Sequence, residues 1–412
     1  MISARLSFTH SLALATALIA GLTASVSAEP VSSQAQVPHS QPSGRELVPI
    51  PSGDEKGSQP RIQLAVLLDT SNSMDGLINQ ARVQLWNLVT ELSKVKKDNK
   101  SPRFEVALYQ YGNDGLSAET GYVQRVLAFT TNLDEVSEKL FQLKTNGGSE
   151  FCGQAIQHAT LNLDWSLRPE DLRMIVIAGN EPFTQGTVDY RTAIPAAAGK
   201  KIVLNTIHCG TRDVGEQTMW ADGAKLGQGK FANIDSNTTP VHIDTPYDTE
   251  INDVGVRIND TYIPFGAHGE EGVHRQRKAD ADMRDVAPAA EATRNVAKST
   301  AYYQSQNASW DLVDALNTKQ VELKDLKEEV LPENMRKMTL AERSAFVEEK
   351  IKSRQEHVSK LAELTKKRES FIAEVQAKAA ATGAEATFGD ALILAIREQA
   401  ASAGFVAETP AK

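Results

Sequence analysis

The apolar positions of residues 61–235 alternate between two kinds of segment. Short continuous apolar runs, such as Ile62–Leu68 and Met174–Ala178, alternate with stretches such as Leu77–Leu92, in which apolar residues recur at helical spacing. Continuous apolar runs are typical of strands that are buried on both faces, and strands that alternate with helices build a mostly parallel sheet. The pattern predicts a doubly wound α/β domain with helices on both faces of the sheet.

One pair of strand-like segments differs from the rest. Phe104–Tyr111 and Tyr122–Phe129 are separated by a turn sequence, Gly112–Gly115, and not by a helix. Short connections join antiparallel neighbours, whereas parallel strands need a longer crossover. We therefore expect one antiparallel edge strand in the otherwise parallel sheet.

The pattern changes after residue 235. Residues 236–275 are rich in Thr, Asp and Gly with only short apolar runs, which predicts an irregular connector. Residues 276–412 have a helical pattern, and within them residues 340–380 place apolar side chains near heptad spacing, as a coiled-coil-like helix does. This helix either packs within the chain or pairs two chains into a homo-oligomer; the pattern does not separate the two.

The first 28 residues have the pattern of a secretory signal peptide. Arg5 precedes an apolar run, Leu12–Leu22, and small residues lead to a cleavage site after Ala28. Residues 29–60 are rich in Pro and Ser, which predicts a disordered linker. No later segment is apolar enough to span a membrane. We expect an exported protein, periplasmic or extracellular.

Composition narrows the classes of partner. Apolar residues make up 41% of the chain and charged residues 24%, which is ordinary for a folded protein. The net charge of -9 gives no electrostatic reason to bind a polyanion. Nucleic acid is therefore not an expected partner.

Candidate chemistry follows the first predicted strand directly. The segment Asp69-Thr70-Ser71-Asn72-Ser73 places one carboxylate and two hydroxyls at the carboxyl end of a central strand, where sites form in such sheets. Hard oxygen donors suit Mg²⁺, Mn²⁺ or Ca²⁺ better than zinc, which prefers His and Cys. The loop predicts a divalent cation site, with Mg²⁺ as the first choice.

With this loop, residues 61–235 resemble the von Willebrand factor A (VWA) domain, in a bacterial-type exported protein. The resemblance rests on Leu67–Met74, on Gly147-Gly148-Ser149, and on the strand that ends Ile175–Ala178. It implies a metal-ion-dependent adhesion site in which the first-loop roles fall to Asp69, Ser71 and Ser73. Ser149 stands where the family has threonine and keeps a hydroxyl.

The third loop of the site departs from the family. Where the family has Thr-Asp-Gly, this chain has Ala178-Gly179-Asn180, so the expected aspartate is missing. Glu150 or Glu181 could supply the missing charge, and the sequence does not choose between them. The alternative is a domain that keeps its fold but has a weak or lost metal site.

The resemblance implies a non-enzymatic adhesion protein, in which the bound cation accepts a carboxylate from an acidic protein ligand. We expect the partner to land on a rim around the metal loop, formed by Tyr111, Asn113, Asp114, Asn180 and Phe183. One alternative is a structural or assembly protein that acts through its helical region with a degenerate metal site. A metal-dependent hydrolase is disfavoured because the sequence offers neither a His/Asp cluster nor a two-metal ligand set.

The cysteines, two histidines and three aromatic residues are further candidate functional groups. An even number of cysteines in an exported protein favours a disulfide between Cys152 and Cys209, the alternative being two buried free thiols. A catalytic pair of either cysteine with His158 or His208 is disfavoured, because a disulfide removes the thiolate, and no catalytic residue is predicted. The aromatic residues of the helical region are expected to dock it and not to bind a ligand: Tyr302, Tyr303 and Trp310.

Overall fold

The computed structural model describes residues 59–234, 243–381 and 388–407. The predicted signal peptide and nearly all of the predicted linker lie outside these ranges. Lys56–Lys412 form one compact unit, so the α/β domain and the helical region are described together. Among the described residues, no helix is both long enough and apolar enough to cross a bilayer.

The central sheet has six strands in the order β4-β3-β1-β5-β6-β7. Five of them run parallel and β4 pairs antiparallel with β3, which confirms the predicted edge strand. A short β2 pairs with β8 outside this sheet. The strands are β1 Arg61–Asp69, β2 Val95–Lys96, β3 Arg103–Tyr111, β4 Val123–Thr130, β5 Leu172–Gly179, β6 Ile202–Cys209, β7 Gln228–Ile234 and β8 Val406–Ala407.

The sheet separates two apolar cores because side chains alternate between its faces. Leu64 and Val66 of β1 point into a core shared with the first two helices, whereas Ala65 and Leu67 point into the core of the next helices. Both faces are covered, as the continuous apolar runs predicted. The helices of this domain are α1 Ile78–Ser93, α2 Leu133–Gln142, α3 Cys152–Asn162, α4 Tyr190–Gly199, α5 Arg212–Gln217 and α6 Trp220–Leu226.

The described part of the remaining chain is mostly helical. The prediction of an irregular connector over residues 236–275 is wrong for Asp248–Asn259, which form a helix because Ile251, Val254 and Ile258 recur at helical spacing and are buried. The helices are α7 Asp248–Asn259, α8 Gly269–Val286, α9 Pro288–Lys298, α10 Ala301–Asn307, α11 Leu312–Asn317, α12 Glu333–Arg336, α13 Leu340–Ala381 and α14 Phe388–Ser402.

The long helix α13 packs within the chain over much of its length. Leu361 and Leu364 share an apolar cluster with α7, and Val347 packs with α11 and α12. Its first turn carries a capping box, since the Glu342 N–H donates to Thr339 Oγ1 at 3.3 Å and the Thr339 N–H donates to Glu342 Oε2 at 2.8 Å. Pairing between chains stays a prediction.

The helical region docks on the face of the sheet that α1 and α2 cover. The Tyr302 hydroxyl donates to the Phe104 carbonyl at 2.7 Å and lies 2.8 Å from that of Thr131. Tyr303 donates to Asp134 in α2 at 3.0 Å. These bonds confirm the docking role predicted for the two tyrosines.

Candidate metal centre

Three loops meet at the carboxyl end of β1. The Asn72 N–H donates to the Gly147 carbonyl at 2.7 Å, and the Asn146 N–H donates to the Thr70 carbonyl at 2.9 Å. From the loop after β5, Asn180 Nδ2 donates to the Ser73 carbonyl at 3.1 Å. The first, second and third loops expected from sequence are therefore joined by hydrogen bonds.

Asp69 is the last residue of β1 and is fully buried. Its Oδ1 accepts the Ser71 N–H at 2.8 Å, whereas its Oδ2 has no hydrogen-bond partner among the described residues. Burial raises the pKa of Asp69 to about 7, against hydrogen bonds from Ser71 that lower it, and the nearby Glu150 raises it further. A buried carboxylate oxygen without a partner is costly unless a proton or a cation neutralises it.

The two serine hydroxyls lie beside this carboxylate. Ser71 Oγ and Ser73 Oγ are 2.8 Å apart, and Ser73 Oγ donates to Asn180 Oδ1 at 3.0 Å. Ser71 is buried and Ser73 is exposed, so the pair leads from the interior to the surface. The structure brings together all three residues of the first loop.

Ser149 and Glu150 approach from the second loop. Ser149 forms a backbone bridge with Gly112, and a Cβ placed on Gly112 would lie 2.7 Å from Asp69 Oδ1 and 2.9 Å from Glu150 Cγ. Glu150 is only 4% exposed. Burial raises its pKa, a hydrogen bond from Ser71 lowers it, and Glu181 and Asp114 raise it again. Glu150 is thus a second buried carboxyl packed around the same glycine as Asp69.

Glu181 is held differently. Its Oε2 accepts a hydrogen bond from Gln185 at 3.4 Å, and its backbone carbonyl accepts the Trp220 indole N–H at 2.8 Å. His208 Nε2 lies 3.2 Å from the Asn180 carbonyl in the same loop. Sequence reasoning missed that Trp220 and His208 hold the third loop, because both come from elements far along the chain and no local motif marks them.

Two of the five residues expected on the partner rim are buried, so that part of the prediction is wrong. Tyr111 points inward from the end of β3 and donates to the Ala178 carbonyl at 3.0 Å. Phe183 packs edge-on against Trp220, with ring centroids 4.8 Å apart. Asp114 is exposed, and Asn113 and Asn180 are half-buried, so these three are left to face a partner.

The expected disulfide is also absent: Cys152 and Cys209 are buried free thiols. Cys209 shares the core of Ile207 on one face of the sheet, whereas Cys152 belongs to the core on the opposite face. A bridge would have to pass through the sheet. Burial raises the pKa of both thiols well above the usual range, which gives no support for a nucleophilic role.

The donor set fits a hard divalent cation. Within the described ranges, no group of three or more His, Cys, Asp and Glu side chains could hold a metal ion, so hydroxyl oxygens would have to supply part of any coordination shell. The unsatisfied Asp69 Oδ2 beside two serine hydroxyls matches the oxygen preference of Mg²⁺ and Ca²⁺.

Gly179 makes the close approach of the third loop possible. A Cβ at this position would lie 2.4 Å from the Tyr111 hydroxyl and 2.9 Å from Asp69 Oδ2. We expect Gly179→Ala to destabilise the protein by about 1–3 kcal/mol in urea unfolding, because an extra methyl group must displace buried atoms. Gly199→Ala is the matched control, since nothing lies within 4 Å of its Cβ position. Equal stability of the two variants would contradict this packing.

Comparison with known proteins identifies the domain. Residues 63–238 match the model of the von Willebrand factor type A domain, which confirms the resemblance seen in the sequence. No match to the chain was found among the curated proteins.

Several solved structures are similar to part of the chain. The conserved hypothetical protein BatB from Bacteroides thetaiotaomicron is 18% identical, with 42% of this chain and 90% of that chain covered and a TM-score of 0.33. The SpRpn10 VWA domain is 17% identical, with 43% and 90% covered and a TM-score of 0.33. Proximal thread matrix protein 1 from the mussel byssus, described with a zinc occupied MIDAS motif, is 12% identical, with 43% and 42% covered and a TM-score of 0.32.

Proposed function

Because residues 63–238 are a von Willebrand factor type A domain, we propose that this chain is a non-enzymatic binding protein that holds a divalent cation and offers it to an acidic side chain of a protein partner. Domains of this family commonly mediate metal-dependent protein binding. The observation that supports the proposal most is the buried Asp69 carboxylate, whose Oδ2 has no partner among the described residues.

The cation would be held by Asp69 and by the hydroxyls of Ser71, Ser73 and Ser149. Mg²⁺ is the favoured ion, with Mn²⁺ and Ca²⁺ as alternatives. We assign the missing third-loop charge to Glu150 and not to Glu181, because Glu150 packs around Gly112 beside Asp69. When bound, the cation would offer an open coordination position to a carboxylate oxygen of the partner.

The surroundings of the site suit a partner that reaches it from solvent. Asn72, Ser73 and Asp114 are exposed at the tips of the first and second loops. An exposed ion pair contributes about 0–1 kcal/mol of free energy. A carboxylate that binds a cation in a partly dehydrated position gains more binding free energy than this, because less water screens the two charges. Together with the signal-peptide pattern of the first 28 residues, the exposed position of these loops supports binding of a partner outside the cytoplasm, in a periplasm or in the extracellular space.

A peptide titration tests the proposed partner chemistry. Protein-bound Mn²⁺ is followed by the relaxation rate of water protons while the peptide Gly-Asp-Gly or its neutral analogue Gly-Asn-Gly is added, each with an acetylated N-terminus and an amidated C-terminus so that the Asp side chain is the one carboxylate that differs. We expect the Asp peptide to lower the relaxation enhancement, because its carboxylate displaces water from the ion, and we expect the Asn peptide to leave it unchanged. Equal responses to the two peptides would contradict recognition of an acidic side chain.

A further inference from the structure

A cavity of about 380 Å³ lies where the α/β domain meets the helical region. Its walls come from the start of α2, from the first half of α8, and from residues 302–310. Small-molecule sites usually have volumes of about 300–1,000 Å³ and often lie between domains. The cavity is therefore large enough for a compact organic ligand, and none of the metal-site residues lines it.

Three aromatic residues contribute to the lining of the cavity. Tyr302, Tyr303 and Trp310 are otherwise largely buried, with exposures of 3%, 2% and 8%. The two tyrosine hydroxyls are engaged by Phe104, Thr131 and Asp134, so the rings are held in fixed positions. Aromatic rings held in fixed positions favour contact with a flat apolar group.

The position of Trp310 depends on a glycine in α8. A Cβ on Gly272 would lie 2.4 Å from the indole ring, so only glycine lets this helix rest on Trp310. The Tyr262 ring also packs against it, with 5.0 Å between the ring centroids. Gly272 and Tyr262 therefore fix the position of the indole at the wall of the cavity.

The lining of the cavity offers an anion one arginine, Arg275. Of the two acidic side chains in the lining, Asp134 is already paired with the buried Arg294 at 2.9 Å. At the rim, Arg275 is bonded to Glu271 on the same helix, and the Glu271 side chain is 61% exposed. Such an exposed pair is weak and is easily replaced by a ligand. His268 lies 3.5 Å from the same glutamate.

The start of α2 adds to this preference. Asn132 caps the helix by accepting the Glu135 N–H at 3.2 Å, which leaves the first N–H groups, on Leu133 and Asp134, without partners inside the helix. Both residues line the cavity. The N-terminus of a helix carries partial positive charge, which Asp134 and Glu135 in the first turn offset in part and which a negative group held by Arg275 would also complement.

We propose that this cavity binds a small organic carboxylate with a flat aromatic body. The ring lies among Tyr302, Tyr303 and Trp310, and the carboxylate faces Arg275 and the start of α2. This site is separate from the metal centre and does not depend on the function proposed for it. The aromatic residues would then bind a ligand as well as dock the helical region.

Calorimetric titration of the full chain tests the proposal, with three probes of the same shape: indole-3-acetate, indole-3-acetamide and tryptamine. We expect indole-3-acetate to bind with a dissociation constant of about 1 mM or tighter. The neutral amide and the cationic amine should bind at least about tenfold more weakly, because they lose the charge-assisted hydrogen bond to the guanidinium.

Two arginine variants locate the site. Arg275→Ala should weaken indole-3-acetate binding at least about tenfold, and Arg277→Ala should not change it, because Arg277 is exposed on the same helix and does not line the cavity. Both variants should still unfold in one cooperative thermal transition, since Arg277 is exposed and the Arg275 side chain, which is 28% exposed, pairs with the exposed Glu271. No heat from indole-3-acetate, equal binding of the three probes, or full binding by Arg275→Ala would each overturn the proposal.

Discussion

Asp69→Asn is expected to weaken Mg²⁺ binding by more than about 100-fold and to leave the metal-free protein at least as stable as the wild type. The affinity falls because Asp69 supplies the only carboxylate of the first loop. Stability is kept because the buried Asp69 Oδ2 has no hydrogen-bond partner among the described residues, so its charge does not help the metal-free fold. If Asp69 served packing alone, Asp69→Asn would leave the Mg²⁺ affinity unchanged and would lower the stability of the metal-free protein.

Calorimetry with Mg²⁺ and urea unfolding in a chelator measure the two effects. Asp75→Asn is the matched control, because Asp75 is an exposed carboxylate just beyond the same loop and accepts a hydrogen bond from Thr145. The control should bind Mg²⁺ within about threefold of the wild type, since an exposed charge outside the coordination shell is screened by solvent and salt. Retained Mg²⁺ affinity in Asp69→Asn would remove this residue from the site.

Arg294→Met is expected to destabilise the protein by about 3–5 kcal/mol, because it leaves buried carboxylates without their cation. Arg294 is fully buried and bonds Asp134 of α2 at 2.9 Å and Asp280 of α8 at 2.7 Å. Burial by itself would raise the pKa of Asp280, but Lys298 and Arg294 hold it at about 2. The pair with Asp134 joins the helical region to the α/β domain, and the pair with Asp280 links α9 to α8 within the helical region.

Urea unfolding at neutral pH measures the loss. Arg284→Met is the control, because its side chain is 54% exposed and pairs with Glu291 at the surface, where the expected loss is at most about 1 kcal/mol. The lowered pKa of Asp280 adds a pH signature. Its contribution is complete above the unfolded-state pKa of 3.8 and is lost as the pH falls towards about 2. A similar loss in both variants would show that the buried pairs do not hold the two regions together.

Sequence alone predicted the features that are local in the chain. The β1 run and the Asp69–Ser73 loop are adjacent, so one apolar pattern and one motif were enough to place a site at the end of a strand. The prediction of an irregular connector was wrong for Asp248–Asn259. Ile251, Val254 and Ile258 have helical spacing, but the many polar residues around them made this spacing hard to recognise.

Features that depend on which face a side chain occupies could not be predicted. A strand that is apolar throughout gives no sign of which core each residue enters, so the burial of Tyr111 and the placement of Cys209 were missed. Phe183 follows the third loop, and the rings of Trp220 and Tyr190, from later in the chain, pack against it. The aromatic cavity joins segments more than a hundred residues apart, which no local pattern records.

The most direct test of the metal centre is calorimetric titration of Mg²⁺ into the wild-type chain and into Ser71→Ala/Ser73→Ala. The two hydroxyls lie 2.8 Å apart beside Asp69, and their removal leaves the carboxylate in place. We predict saturable binding by the wild type and none by the double variant. Absence of binding by the wild type, or equal binding by both, would contradict a cation held by this loop.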